Sequence, residues 1–310
     1  MIKSSARWSG RSLLHLSLFV LTLSSSSVQA ASIADAEADM RAGRYESALA
    51  TVIPAAKSGD RAAQYLLAAA YINGTGVGRD VNEGVKWMDR SAALGYGPAL
   101  ADLGAFYLTG QYVPRDIPKA VELLSKAAAQ KDPAGYYNLG VVYRDGLNGQ
   151  PDPKKAENHF RESAEKGYVL AQYGLARIAY DRQDYQLAAK WYEKAGEQGD
   201  FEALYNLGYM YHEGQGVTGD YRKARELFYK SADLSRYDRE RRGTKPMDML
   251  GTIYRDGKGV PKDLVEAYKW YLLAASQGHP TAAAHAKEVG QFLTPQQVDE
   301  ARQRASTFAK

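Results

Sequence analysis

From residue 61 onward the chain sets apolar and small residues at i, i+3, i+4 and i+7, as in Leu204, Leu207, Gly208 and Tyr211, which is the spacing of an amphipathic helix. The same pattern then recurs along the chain. A Leu-Gly pair or its Leu-Ala variant stands at Leu67-Ala68, Leu103-Gly104, Leu139-Gly140, Leu175-Ala176, Leu207-Gly208 and Leu250-Gly251. Three residues after the second member come Tyr71, Tyr107, Tyr143, Tyr211 and Tyr254, with Ala179 as the exception. The repeats so defined are 61–96, 97–132, 133–168, 169–200, 201–243 and 244–279. Recurrence at a fixed spacing of this size is the signature of a stacked array rather than of a single globular core.

Each repeat reads as two helices. Helix A closes on a glycine-bearing loop in the runs beginning Asn73-Gly74, Glu213-Gly214 and Asp256-Gly257. Glycine accepts the left-handed backbone that ends a helix, and the loop valines (Val77, Val217, Val260) are expected to fold back on it. Helix B opens on Asp80, Asp116, Asp152, Asp184, Asp220 or Asp263, whose carboxylates suit the free N–H groups of a first turn. It carries a small residue (Gly84, Ala120, Ala156, Ala188, Ala224, Ala267) and, three positions on, Trp87, Leu123, His159, Trp191, Leu227 or Trp270. No period-2 segment of useful length appears, so the expected fold is all-α. At the C-terminal end, Thr294-Pro-Gln-Gln297 predicts a capping box with proline in the first turn, opening a polar helix that closes the array.

The pattern A-x-x-x-L-G-x-x-Y-x-x-G-x-G-V-x-x-D-x-x-K-A-x-x-W-Y-x-x-A-A-x-x-G resembles the Sel-one-like repeat, a relative of the tetratricopeptide repeat. The stretch 244–279 matches it almost position for position, and the resemblance covers 61–279. Residues 31–60 resemble a tetratricopeptide-like helical hairpin, and 280–310 read as capping helices. The resemblance implies a right-handed α/α superhelical solenoid that works as a scaffold for protein–protein interaction. In related tetratricopeptide arrays, helix A offers its positions two, five, nine, twelve and thirteen to the inner groove. Carried onto this chain, that register gives Tyr65 and Asn73 in the first repeat, and Tyr137, Arg144 and Asp145 in the third. The fourth supplies Tyr173, Arg177, Tyr180 and Asp181, the fifth Tyr205, Tyr209, His212 and Glu213, and the sixth Asp248, Arg255 and Asp256. Tyrosine combines a large apolar face, few rotatable bonds and a hydroxyl, a combination suited to recognition.

The first thirty residues carry Lys3, Arg7 and Arg11, then an apolar run Leu13–Leu23, then Val28-Gln29-Ala30. A cationic start, a short apolar stretch and small residues before Ala31 predict a signal peptide cleaved near Ala30 and a periplasmic or secreted mature protein. The run falls short of the roughly 20 residues needed to span a bilayer, so no membrane span is expected after cleavage. The chain has 40 basic and 36 acidic side chains, and outside the signal segment they nearly balance, which leaves no electrostatic footprint for nucleic acid.

Candidate chemistry is sparse. There are no cysteines and five histidines, with no H-x-x-x-H pair and no acidic cluster at metal-ligand spacing, so neither metal nor cofactor is expected. Gly74-x-Gly-x-Gly78 follows a helix rather than a strand, unlike a phosphate loop. Ser163-Ala-Glu-Lys166 matches S-x-x-K, but S-D-N and K-T-G partners are missing, and its register is that of helix packing. The expectation is therefore a monomeric, non-catalytic adaptor in envelope signalling or assembly. Its groove would be built from Tyr137, Arg144, Tyr173, Arg177, Tyr180, Tyr205, Tyr209 and His212 and would hold another envelope or secreted protein. The rival reading is a module for cell-wall peptidoglycan or an exported polysaccharide, an exported glycan stacked on tyrosines. The expanded fifth repeat adds a basic segment with Arg236, Arg239, Arg241 and Arg242, a further contact for an acidic partner or anionic glycan.

Overall fold

A computed structural model describes residues 27–235 and 244–309. The charged and apolar parts of the expected signal peptide (1–26), and Arg236, Arg239, Arg241 and Arg242 of the expected basic segment, lie outside the described residues. Among the described residues there are sixteen α-helices and no strand. They fall into two compact bodies, divided between Gln150 and Pro151 inside the third repeat. The N-terminal body contains α1 (Ser27–Arg41), α2 (Tyr45–Lys57), α3 (Arg61–Asn73), α4 (Val81–Ala93), α5 (Gly97–Thr109), α6 (Ile117–Ala129) and α7 (Pro133–Asp145). The C-terminal body contains α8 (Pro153–Glu165), α9 (Val169–Asp181), α10 (Tyr185–Glu197), α11 (Phe201–Glu213), α12 (Tyr221–Ser235), α13 (Thr244–Asp256), α14 (Leu264–Ser276), α15 (Ala282–Gly290) and α16 (Pro295–Phe308).

The local chemistry that builds these hairpins is visible at their ends. The carboxylates of Asp80, Asp116, Asp152, Asp184 and Asp263 each accept a hydrogen bond from the backbone N–H three residues on, and Asp220 accepts from both Arg222 and Lys223. Asp60, Asp132 and Asp200 cap A helices in the same way. Each such cap is worth about 1 kcal/mol. Thr294 and Gln297 form the reciprocal capping box that opens α16. The fourth repeat, which lacks the glycine loop, turns instead through Gln183 at a φ of 64°.

Within each body the apolar faces meet in layers. In the N-terminal body Leu66, Leu67, Met88, Leu100, Leu103 and Phe106 are buried together, and Val77 and Val113 of the loops pack against them. In the C-terminal body the same role falls to Phe228, Met247, Leu250, Ile253, Trp270 and Leu273, with Val260 folded onto them. Ser91 and Ser231 are fully buried, and each hydroxyl donates to a helix A carbonyl thirty residues earlier, that of Arg61 or Phe201, at 2.6 Å. The terminal helix α16 lies on α14: Phe308 meets the Trp270 ring edge-on at 4.9 Å, and Arg304 bridges Glu266 and Glu300.

The second glycine of the loop motif has a reason that lies in the preceding repeat. A Cβ on Gly216, whose φ is +68°, would come within 2.3 Å of the backbone carbon of Tyr185, the first residue of α10. Gly76 and Gly259 stand in the same relation to Tyr45 and Tyr221, which open α2 and α12. Where the preceding helix B opens on a smaller side chain, Val81 or Ile117, the loop carries Tyr112 or Asn148 at that position instead.

Candidate functional site

The A helices of the C-terminal body, α9, α11 and α13, carry the densest group of the residues singled out above. Burial raises the pKa of the Tyr205 hydroxyl, and Tyr209, Asp248 and Tyr180 close by raise it further. Tyr180 is raised for the same first reason, with Tyr209 and Tyr185 next. The structure thus brings Tyr180, Tyr205 and Tyr209 to one place. All three are half-buried, so part of each ring faces solvent. Their undersides are fixed: Tyr205 packs on Phe228 at 5.7 Å, and Tyr180 meets Tyr185 edge-on at 5.2 Å while its hydroxyl donates to Gln215 Oε1 at 2.9 Å.

Beside this group α9 exposes Arg177, with Tyr173 and Tyr192 as its electrostatic neighbours. Among the described residues Arg177 forms no ion pair, in contrast to Arg144 and Arg255 of the same register. Arg255 is held bidentately by Asp256, through its Nε at 2.7 Å and Nη2 at 3.2 Å. Arg177 is therefore a cation on an aromatic face with no acid of its own. At the far side of the face Asp248 accepts from His285 Nδ1 at 2.8 Å, and His279 Nδ1 lies 3.8 Å from the same oxygen.

Two expected groove residues are placed otherwise. His212 has a side chain only 9% exposed, with Nδ1 2.7 Å from Glu213 Oε1 and its ring edge-on to Tyr221. It packs between α11 and α12 instead of joining the open tyrosines, and its Nε2 is buried with no partner. Tyr65 is 4% exposed: its hydroxyl donates to Asp102 Oδ2 at 2.9 Å and its ring lies 5.5 Å from that of Tyr96. Tyr137 and Arg144 belong to the N-terminal body, where they are neighbours on α7 and Arg144 is clamped by Asp145 at 2.7 and 2.9 Å.

The residues weighed for other chemistry are interior ones. Ser163 is fully buried. Trp87, Trp191 and Trp270 are 8%, 9% and 0% exposed, and Arg90 and Lys194 cover the first two rings at 4.3 and 4.6 Å. Among the described residues no group of three His, Cys, Asp or Glu side chains is placed to hold a metal ion, and no helix is long and apolar enough to cross a membrane. Sequence reasoning missed Asp102. It sits one position after the groove register, and only its contact with Tyr65 marks it. Burial drives its carboxyl up to about 7, Asp132 adds to that, and the Tyr65 hydrogen bond opposes it.

With hairpins, loops and faces in place, the comparison with known proteins is decisive. The Sel1 repeat pattern matches residues 61–96, 97–132, 133–168, 169–200, 201–235 and 247–279, about two thirds of the chain. The chain belongs to the Sel1 repeat family. Its fold is accordingly the all-α superhelical repeat fold of that family. Sel1 repeat proteins generally mediate protein–protein interaction, and the scaffold is generally non-catalytic.

Among solved structures, a Sel1 repeat protein from Oxalobacter formigenes is 26% identical, with a TM-score of 0.66 over 79% of this chain and 99% of that one. The protective antigen c5321 of uropathogenic Escherichia coli, which displays the same fold, is 24% identical, with a TM-score of 0.51 over 85% of this chain and 64% of that one. Among curated sequences, a Neisseria meningitidis serogroup B protein is 30% identical over 44% of this chain, and the Saccharomyces cerevisiae chitin synthase regulator SKT5 is 28% identical over 45% of it. The match spans 28% of the first relative's length and 20% of the second's.

Proposed function

We propose that this Sel1 repeat chain is a non-catalytic adaptor, exported and cleaved near Ala30, which holds a segment of another periplasmic or secreted protein in envelope signalling or assembly. The observation that carries the reading is the half-buried cluster of Tyr180, Tyr205 and Tyr209 beside the unpaired Arg177. Pre-set aromatic faces lose little entropy on binding, and a cation without a partner of its own gives direction to an incoming carboxylate. One relative fits the same theme by name, a regulator of chitin synthase. The buried tryptophans favour a protein over a glycan, since the described tryptophan rings offer no sugar platform.

The test is affinity capture from a detergent-treated envelope extract with residues 31–310 as bait, beside a Tyr205→Ala/Tyr209→Ala bait that keeps its helical spectrum. A protein held by the first and released by the second is the expected result. Retention of glycan alone would transfer the face to peptidoglycan or polysaccharide. Equal retention by both baits would remove the tyrosines from the site. Export is checked separately, by the mass of the N-terminus of the protein recovered from the periplasmic fraction, expected to begin at Ala31.

A further inference from the structure

A second surface of the C-terminal body lies outside the A-helix face. The loop that leads from α13 into α14 and the loop between α15 and α16 enclose an open cleft of about 530 Å³. Val260, Leu264, Phe292 and Leu293 supply its apolar lining, and Arg225 of α12 and Lys262 stand among them. Phe292 is 72% exposed, the most exposed large apolar side chain among the described residues. Its position is set by the backbone. The Phe292 N–H donates to Val289 O at 3.1 Å, the Leu293 N–H donates to Gly290 O at 3.2 Å, and the capping box at Thr294 fixes the next residue. The turn thus fixes the backbone that carries the ring, and the ring itself stands in water. An exposed phenylalanine ring is a standing cost that an occupant would remove.

The charges choose the occupant. Among the described residues neither Arg225 nor Lys262 forms an ion pair or a side-chain hydrogen bond. The acid in the cleft, Asp263, is engaged in accepting the Glu266 N–H at the start of α14. Arg225, which has no acid partner among the described residues, and Lys262, which shares Asp256 with Arg255 and Lys258, stand beside an exposed aromatic ring and fit a ligand with carboxylates next to a large apolar side chain. The chain's own segments outside the described residues have the wrong sign. Residues 1–26 carry three basic and no acidic side chains, and 236–243 carry four arginines against two acids. We propose that this cleft is a docking site for an acidic peptide segment of a partner protein, with a bulky apolar residue seated against Phe292 and Leu293 and carboxylates on Arg225 and Lys262.

The test uses a fluorescein-labelled peptide alternating Glu or Asp with Phe and Leu, and a twin with Lys in place of every acid, titrated into residues 31–310 by fluorescence anisotropy. Binding of the acidic peptide only, at micromolar Kd and weakening as salt is raised, is the expected result. Phe292→Ser, at a position with little packing to lose, and Arg225→Glu/Lys262→Glu should each weaken it at least tenfold. The charge-reversed variant should in turn take up the Lys peptide. Tyr205→Ala/Tyr209→Ala should leave this binding unchanged, which separates the cleft from the adaptor face. No binding, equal binding of both peptides, or indifference to the cleft variants would overturn the proposal. Concentration-dependent dimerisation that is lost in Phe292→Ser, without peptide binding, would overturn it in favour of a second copy of the chain.

Discussion

Tyr65 and Tyr205 hold the same fifth position of their repeats, one in each body, yet the structure treats them differently. Tyr65 is closed over: Asp102 takes its hydroxyl, and Tyr96 covers its ring. Tyr205 rests on Phe228 but keeps part of its ring open, beside Tyr180 and Tyr209. Beyond Tyr96, the two sites differ in what the next repeat contributes. In the N-terminal body it brings a carboxylate within 2.9 Å, and the tyrosine becomes an interior hydrogen-bond donor. In the C-terminal body it brings Asp248, which is engaged with His285, and the tyrosine stays at the surface. Register decides which face of a helix a residue occupies. Exposure on that face is set by partners from outside the helix, for Tyr65 by Tyr96 at the end of its own repeat and Asp102 in the next.

The contrast can be broken at its foundations first. Leu207 is 3% exposed under the tyrosine face, so Leu207→Asp should cost on the order of 4 kcal/mol or more and abolish the cooperative melt of the C-terminal body. Deleting Gln296–Lys310, which uncovers Trp270, should lower the melting temperature without abolishing the transition. Comparable curves for the two variants would contradict that ordering. Next in size, Gly216→Val drives a side chain into the Tyr185 backbone at a left-handed φ, and should cost roughly 3 kcal/mol by thermal denaturation. Tyr112→Gly, at the matching position of the second repeat, where the φ of 71° already suits glycine, should cost less.

The pH dependence sharpens the comparison from the N-terminal side. Burial raises the Asp102 carboxyl from 3.8 to about 7 in the folded protein. Between those values the folded state holds a proton that the unfolded state has released. Stability is therefore highest at the acid end and falls as pH rises through about 7. Asp102→Asn should flatten the fall in melting temperature between pH 5 and 8 and raise it at pH 8, because a neutral amide can still accept from Tyr65. Smallest of all, Tyr65→Phe leaves Asp102 without its donor and should cost about 1–2 kcal/mol, whereas Tyr205→Phe should be nearly neutral in the same assay.

Much of the fold was legible because its determinants are local. The helix B aspartates, the left-handed glycine at the end of helix A and the Thr294–Gln297 box each act within four residues, and each does so in the structure. The candidate face was only half legible. Tyr180, Tyr205 and Tyr209 do cluster, but Tyr65 and His212 share their register and are turned onto Asp102 and Tyr221. Those partners come from the next repeat or the next helix, where the repeating pattern carries no signal for them. The second loop glycine is intermediate: its partner is remote, but the exchange of Gly76 with Tyr45 for Tyr112 with Val81 can be read by setting consecutive repeats side by side.

The measurement closest to the central claim is hydroxyl-radical footprinting of the folded chain, with oxidation of each tyrosine read by mass spectrometry. Tyr205 and Tyr209 should be modified readily and Tyr65 protected, with Tyr65 reaching the same rate only after denaturation. Equal labelling of Tyr65 and Tyr205 in the folded protein would contradict the account, because the open tyrosine face would then be no property of the C-terminal body.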